Sequence, residues 1–179
     1  MVKVFFDKND DACEFVYITI IEAIKNENIN ILSFMSKIMK TFDNDDKCFF
    51  INHFVYRGNT ERITTDEDHF LMQSIKTNDV SIFKIVFEML FVTLNIKYFH
   101  SVYYMLLKYA LKNKSYKICD YLNYVIPFQE NTNYSNEWNN LIRYVEFFAE
   151  YKKDDDMVNY IKDLKAAILQ TKYNAPPDA

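Results

Sequence analysis

A pattern that recurs four times along the chain limits the folds open to this sequence more than any other feature. Each copy begins on a small residue and places large, mostly apolar residues eight, nine, eleven and twelve positions later. That spacing is typical of one buried helix face. The copies begin at Ala23, Ser74, Ala110 and, more weakly, Ala149. In that order, the large residues of the four copies are Ile31, Leu32, Phe34 and Met35; Ile82, Phe83, Ile85 and Val86; Ile118, Cys119, Tyr121 and Leu122; and Met157, Val158, Tyr160 and Ile161.

The residues before each copy indicate a second helix in the same unit. Ile20, Leu71 and Leu107 stand three positions before the small residue, whereas the fourth copy has Glu146 there. A small residue favours close approach of two helices because it removes side-chain bulk at their crossing. The predicted unit is therefore a helix, a short polar turn and an antiparallel helix. We expect one helical-repeat domain over residues 1–179, with repeat cores at 15–40, 66–91, 102–126 and 141–170.

The scarcity of glycine narrows the fold class further. The chain has one glycine, Gly58, and three prolines among its 179 residues. Tight hairpins depend on glycine more than long helices do, so a β-sandwich or barrel is disfavoured. Glycine-rich phosphate loops and the Gly-x-Ser-x-Gly nucleophile motif are absent for the same reason. We predict an all-α, helix-pair solenoid with little or no β-hairpin, and a further helix from Asp46 to Tyr56 between the first two copies.

The histidines and cysteines do not form a metal-ligand pattern. They are His53, His69 and His100, and Cys13, Cys48 and Cys119. No histidine lies three or four residues from another histidine or a cysteine, as metal sites usually require. Three widely spaced cysteines predict reduced, buried thiols in a reducing compartment. We predict no catalytic, cofactor-binding or metal-binding residues, and therefore a non-enzymatic protein.

The order of apolar and polar residues in the copies resembles the core of an ankyrin repeat. Ala23 to Met35 and Ala110 to Leu122 follow that order, including Asn26 and Asn113, and the resemblance extends intermittently from about Phe15 to Leu169. The family's Thr-Pro-Leu-His opening and its hairpin glycines are missing. The turn glycine of the family is replaced in the four copies by Glu27, Asn78, Lys114 and Lys153.

Other helical architectures stay open beside the ankyrin-like one. A helix-pair solenoid of the TPR or HEAT type fits the same periodicity, and so does a non-repeat bundle like the viral inhibitors of apoptosis. The chain is rich in Asn, Lys, Ile, Tyr and Phe. That bias is typical of genomes rich in A and T, such as those of large DNA viruses and intracellular parasites.

The resemblance implies a protein-binding module whose partner docks on a helical-repeat surface. In ankyrin-like proteins the two positions after the small pair lie at the edge of the binding groove. Stacked units would bring Lys25, Lys76 and Lys112 into one column, with Lys152 beside it, and such a column favours an acidic partner surface. The predicted partner-binding residues are Lys25, Asn26, Lys76, Thr77, Lys112, Asn113, Tyr151 and Lys152. The alternatives are a small-ligand-binding or enzymatic helical bundle, and an apoptosis-inhibitor-like inhibitor of a host protein.

Charge and hydropathy predict which other partners are disfavoured. A net charge of −4 gives no general attraction to nucleic acid or to anionic lipid. The most apolar stretch, Ile82 to Ile96, is too short and too polar to span a bilayer because Lys84 and Glu88 interrupt it. No signal-peptide pattern is visible. We therefore expect an intracellular, cytoplasmic protein, with delivery into a host cell left open.

An apolar seam on the last helix predicts a homodimer. Met157, Ile161, Leu164 and Ile168 recur at spacings of 4, 3 and 4 residues, as in helices that pack on a partner helix. Residues 4–6 near the N-terminus are also apolar. A solenoid whose end units lack polar outer faces leaves apolar surface exposed, and two-fold pairing commonly buries such surface.

Overall fold

The computed structural model describes residues 10–56, 69–95, 99–125 and 134–173. Every regular element in these ranges is helical, so the prediction of an all-α chain is confirmed for the described residues. The helices are α1 (Asp10–Lys25), α2 (Ile29–Met39), α3 (Asn44–Phe50), α4 (Phe70–Lys76), α5 (Val80–Glu88), α6 (Phe99–Lys112), α7 (Tyr116–Val125), α8 (Tyr134–Lys152) and α9 (Asp155–Tyr173). Two of them continue into π-helical turns, α3 through Ile51–Val55 and α5 through Met89–Thr93.

The chain divides into two compact units, Met1–Val102 and Tyr103–Ala179. The pairs α1–α2 and α4–α5 belong to the first unit, and α7, α8 and α9 lie in the second with most of α6. Helix α3 and its π-helical continuation lie between the pairs of the first unit, which confirms the further helix predicted from Asp46 to Tyr56. Within the described ranges, no helix is both long enough and apolar enough to cross a membrane.

A residue in the left-handed conformation ends the first helix of every pair. Glu27, Asn78, Lys114 and Lys153 have φ angles between 51° and 58°. Each donates its N–H to a carbonyl three residues earlier, and in three pairs the next N–H donates to the carbonyl of the small residue, as in a Schellman motif. These four positions are the ones at which the alignment places the turn glycine. The sequence comparison of the copies therefore identified the turn residue correctly.

The residue after the turn begins the second helix in most pairs. Side-chain oxygens of Asn28, Asp79 and Asp154 accept hydrogen bonds of 2.7–3.2 Å from backbone N–H groups two or three residues later. Asp43 begins α3 in the same way, with two bonds of 2.9 Å. These bonds satisfy N–H groups that have no partner within the helix, and a carboxylate also suits the positive end of the helix dipole.

The small residue and most of the apolar stripe form the core, as predicted. Ala23, Ser74, Ala110 and Ala149 are buried, so the two helices of each pair approach closely at these points. The positions nine and twelve residues later are buried except for Val158, which is half-buried. The buried ones are Leu32, Met35, Phe83, Val86, Cys119, Leu122 and Ile161.

The buried face of the first pair is narrower than the sequence predicts. Ile31 and Phe34 are 39% and 55% exposed, although the equivalents of Ile31 in the later copies, Ile82, Ile118 and Met157, are buried. The prediction that Ile31 and Phe34 belong to the core is therefore wrong. Both lie on the side of α2 that is turned away from α1 and α5, the helices on which α2 packs.

In the first unit, equivalent helices of the two pairs pack on each other, α1 on α4 and α2 on α5. Aromatic rings fill the space beside α3. The ring of Phe50 is fully buried and lies 6.1 Å from Phe42, 5.3 Å from Phe54 and 6.5 Å from Phe70, centroid to centroid. Tyr17 of α1 stacks on Phe54 at 4.8 Å. These aromatic side chains thus serve the core of the first unit, where each buries a large apolar area.

In the second unit, α6 contacts α8 and α7 contacts α9. The Nζ atom of Lys108 on α6 lies 3.9 Å from the ring centroid of Tyr144 on α8. The hydroxyl of Tyr160 on α9 donates to Asp120 Oδ1 on α7 at 2.7 Å, and its ring stacks on Tyr116 at 4.6 Å. First helices therefore lie beside first helices and second beside second, as they do in the first unit.

Candidate interaction surfaces

The predicted partner-binding lysines lie at the ends of first helices. Lys25, Lys76, Lys112 and Lys152 are the last residues of α1, α4, α6 and α8, and all four are exposed. A cation at a helix C-terminus interacts favourably with the helix dipole, so the recurrence of lysine has a structural cause as well. Lys25 also forms an ion pair of 2.8 Å with Glu22 on its own helix. A role in partner binding stays a prediction for these lysines.

The predicted residues that follow the first three lysines have a structural task. The side-chain amides of Asn26 and Asn113 donate to carbonyls four residues earlier, at 2.7 Å and 2.8 Å. The hydroxyl of Thr77 donates to the carbonyl of Ser74 at 2.8 Å. The carbonyls of Glu22 and Tyr109 also accept the backbone N–H groups of Asn26 and Asn113, so these side chains add a second hydrogen bond at the helix ends, where carbonyls have few partners within the helix. The sequence alone assigned them only to a binding groove.

Three aromatic side chains are exposed on α8 in the second unit. Tyr144, Phe147 and Tyr151 are 45%, 69% and 73% exposed. The rings of Phe147 and Tyr151 lie nearly parallel, 6.4 Å apart. Two exposed lysines four residues apart, Lys108 and Lys112, lie on the neighbouring helix α6. We call these five residues the basic–aromatic face.

The basic–aromatic face is positively charged although the whole chain is negative. Helix α6 contains no acidic residue, and within the described ranges neither of its two lysines forms an ion pair. On α8, Glu146 is engaged in an ion pair with Lys165 of α9. Arg143 adds a further exposed cation to α8 and Glu150 an exposed acid. Positive charge therefore predominates around the exposed rings.

Sequence reasoning found Tyr151 and Lys112 but missed Tyr144 and Phe147. The available signal was the spacing of Tyr144, Phe147 and Tyr151, three and four residues apart, which places them on one helix face. Their face is opposite the buried residues Val145 and Ala149. An aromatic stripe usually forms core, so the sequence does not reveal which of the two stripes of α8 faces solvent.

A polar contact beside the buried Cys119 joins α7 to α9 and has no features of a reactive site. Burial raises the pKa of the Cys119 thiol, and the neighbouring Asp120 carboxylate raises it further. Burial likewise raises the pKa of Tyr160, which also donates to Asp120. A protonated thiol is a poor nucleophile and a poor metal ligand. The cluster therefore holds the two helices together.

The cysteines and acidic residues show no ligand geometry in the described residues. No group of three or more His, Cys, Asp or Glu side chains there is placed to hold a metal ion. No disulfide joins the cysteines in the part of the chain that the structure describes, and Cys13 and Cys119 are buried as predicted. Cys48 is exposed, so the prediction that it is buried is wrong. It lies on the solvent side of the short helix α3, opposite the buried Phe50 face.

The predicted dimer seam is largely internal to the second unit. Met157, Ile161 and Leu164 are buried, because this face of α9 packs on α8. The side chain of Ile168 and the apolar residues 4–6 lie outside the described part of the chain. Self-association stays a prediction, and a surface for it must be sought elsewhere.

Comparison with known proteins does not assign the chain to a family: no family model, curated protein or solved structure matches it.

Proposed function

We propose that the chain is a non-enzymatic protein-interaction module whose partner docks on the basic–aromatic face. The observation that carries this proposal is the exposure of three aromatic side chains on one face of α8, beside two lysines on α6. Exposed apolar surface of this kind commonly marks an association site. Aromatic side chains also contribute most of the binding energy in many protein interfaces.

The partner chemistry follows from the charge of the face. Lys108 lies over the Tyr144 ring and Lys112 is exposed four residues farther along α6, so an acidic partner segment that carries apolar side chains would meet both kinds of complementary surface. Single-stranded nucleic acid also binds to aromatic and basic surfaces. Glu150 on α8 and the net charge of −4 disfavour a phosphate backbone. We therefore propose a protein with an acidic docking surface.

We further propose that the chain is a helical-repeat protein of the ankyrin-like type. Two observations support this assignment. The helix–turn–helix unit recurs four times, and its left-handed residue stands each time where the resemblance places the turn glycine. In addition, equivalent helices of neighbouring pairs lie side by side within each unit, as they do in proteins built from stacked helix pairs.

A photo-crosslinking experiment tests the proposed docking face. A benzoyl-phenylalanine at position 147 replaces one exposed aromatic ring by another, and the same group at Asn159, exposed on α9 of the same unit, is the matched control. We expect position 147 to give a discrete adduct with one protein in the native cell, and position 159 to give none. Lys108→Glu together with Lys112→Glu should abolish that adduct. Equal labelling from both positions, or none from 147, would contradict the proposal.

A further inference from the structure

The first helix pair exposes more large apolar side chains than any other pair in the described residues. They lie on both α1 and α2 and are Phe15 (57% exposed), Ile18 (50%), Ile29 (39%), Ile31 (39%) and Phe34 (55%). Exposed apolar side chains that occur singly are ordinary. A group of five on two adjacent helices needs an explanation, because it lowers solubility unless another surface covers it.

The later copies show what such positions do when a helix pair precedes them. Where the preceding pair lies in the same unit, the equivalents of Phe34 are Ile85 and Tyr160, and both are half-buried. Tyr160 reaches back to the preceding second helix, where it stacks on Tyr116 at 4.6 Å. The position of Phe34 therefore faces the preceding pair in the repeat.

The first helix of a pair shows the same relation to the pair that precedes it. Where the preceding pair lies in the same unit, Ile18 corresponds to His69, which is fully buried, and to Tyr144, which is 45% exposed. Lys108 of the preceding first helix lies over the Tyr144 ring at 3.9 Å. Ile18, Ile31 and Phe34 thus occupy the positions through which a helix pair rests on the pair before it. We call these three residues, with Phe15, the open stacking face.

The charges around the open stacking face are complementary under a two-fold rotation. Exposed acids flank it on α1, at Glu14 and Glu22, although Glu22 also pairs with Lys25. Helix α2 contains no acid and exposes Lys37. A two-fold axis along the helices that places α1 of one copy against α2 of another brings Glu14 to the level of Lys37, and apolar side chains meet apolar side chains. An interface of this kind needs only one type of surface, because each copy presents the same patch.

We propose that a second copy of this chain covers the open stacking face, so that two α1–α2 pairs pack face to face across a two-fold axis. This inference is independent of the proposed partner-binding function, since it uses a different surface on a different unit. A closed pair is the commonest arrangement for soluble homo-oligomers. It also replaces the dimer seam predicted on α9 by a surface that is exposed in the monomer.

Light scattering coupled to size exclusion tests the proposal with the full chain. At tens of micromolar, we expect a mass twice the 21.5 kDa of one chain. Phe34→Ser should weaken the dimer at least about tenfold, because it removes one large apolar side chain from each half of the interface. Phe147→Ser is the matched control, since it removes an equally large side chain from α8, 69% exposed against 55% for Phe34, and should leave the mass unchanged. Unaltered circular dichroism in both variants excludes unfolding as the cause.

A charge exchange tests the two-fold arrangement itself. Glu14→Lys and Lys37→Glu should each weaken association about threefold to tenfold, and the double variant should recover most of the loss. A wild-type mass near 21.5 kDa at tens of micromolar overturns the proposal. It is also overturned by a dimer that Phe147→Ser, but not Phe34→Ser, dissociates. A mass that grows beyond two copies with concentration indicates open end-to-end stacking instead of a closed dimer. A double variant that associates more weakly than both single variants excludes an interface in which α1 faces α2.

Discussion

Four residues other than glycine adopt the left-handed conformation at the helix turns, and this has a cost that can be measured. An L-residue with a Cβ atom is strained there, whereas glycine is not. We expect Glu27→Gly to raise the free energy of unfolding by up to about 1 kcal/mol in urea denaturation. Asn78→Gly should change it less, because asparagine tolerates positive φ better than glutamate does. A Glu27→Gly variant that is less stable than the wild type would contradict a strained left-handed conformation at Glu27, whose φ is 51°.

Burial at equivalent positions of the repeat separates core residues from surface residues. Ile118 and Ile82 are fully buried, so Ile118→Ala or Ile82→Ala should cost about 2–5 kcal/mol, through lost transfer energy and the cavity left behind. Ile31 stands at the same repeat position but is 39% exposed. Ile31→Ala should therefore cost less than about 1 kcal/mol in a monomeric sample. Equal losses at the three sites in chemical denaturation would contradict this assignment of the helix faces.

At the residue scale, the sequence predicts where a residue stands in the repeated unit but does not predict how exposed its side chain is. The alignment identified the small residue Ala110 and the turn residue Lys114 correctly, because local spacing alone determines both. It assigned Phe34 to the core, although the same spacing at Tyr160 gives a half-buried residue. The difference depends on whether another helix pair lies against that side, and periodicity within one helix carries no information about its neighbours.

At the scale of the elements, one ion pair joins the turn between α6 and α7 to the start of α9. Lys114 Nζ lies 2.6 Å from Asp154 Oδ2. The hydrogen bond from Lys114 holds the pKa of Asp154 below its ordinary value. The same hydrogen bond raises the pKa of Lys114. Because the folded-state pKa of Asp154 is lowered, its contribution to stability is present above the ordinary carboxyl pKa and is lost as the pH falls through the folded value.

The same ion pair gives a prediction with a defined pH window. Lys114→Gln should lower the Tm at neutral pH, and the difference from the wild type should shrink as the pH falls through the lowered pKa of Asp154 and vanish where Asp154 is protonated in both proteins. Lys117→Gln removes an exposed lysine of α7 that forms no ion pair in the described residues, so it is the control. Thermal melts of the three proteins at neutral and acidic pH measure the effect. A difference that persists at acidic pH would mean that Lys114 contributes through packing or turn conformation instead.

At the same scale, helix ends were easier to predict than helix surfaces. Asp43 and Asp154 cap α3 and α9, where acidic residues before an apolar run predict a helix start. The exposed ring of Phe147 was not predicted, because α8 carries two stripes of large side chains and only one faces the core. Composition cannot separate these stripes. The separation appears only when the contacts of α8 with α6 and α9 are known.

At the scale of the whole molecule, the charge distribution gives the last prediction. Two sets of lysines are candidates for guiding an acidic partner: Lys25 with Lys76 in the first unit, and Lys108 with Lys112 in the second. The second set contains Lys108, which lies over the exposed ring of Tyr144. We therefore expect charge reversal at Lys108 and Lys112 to have the larger effect on association with the partner identified by crosslinking.

The measurement is the association rate of each variant as a function of salt concentration. Reversal of Lys108 and Lys112 to glutamate should slow association with the crosslinked partner and flatten its salt dependence, because charges near a docking site act mainly on the rate of encounter. Reversal of Lys25 and Lys76 to glutamate changes the same number of charges and is the matched control. If the partner docks on the basic–aromatic face, the control variant differs from the wild type only through the net charge of the chain, an effect that salt screens. Equal slowing by both pairs would instead favour the lysine column predicted from the sequence, and would place the docking surface along the ends of the first helices.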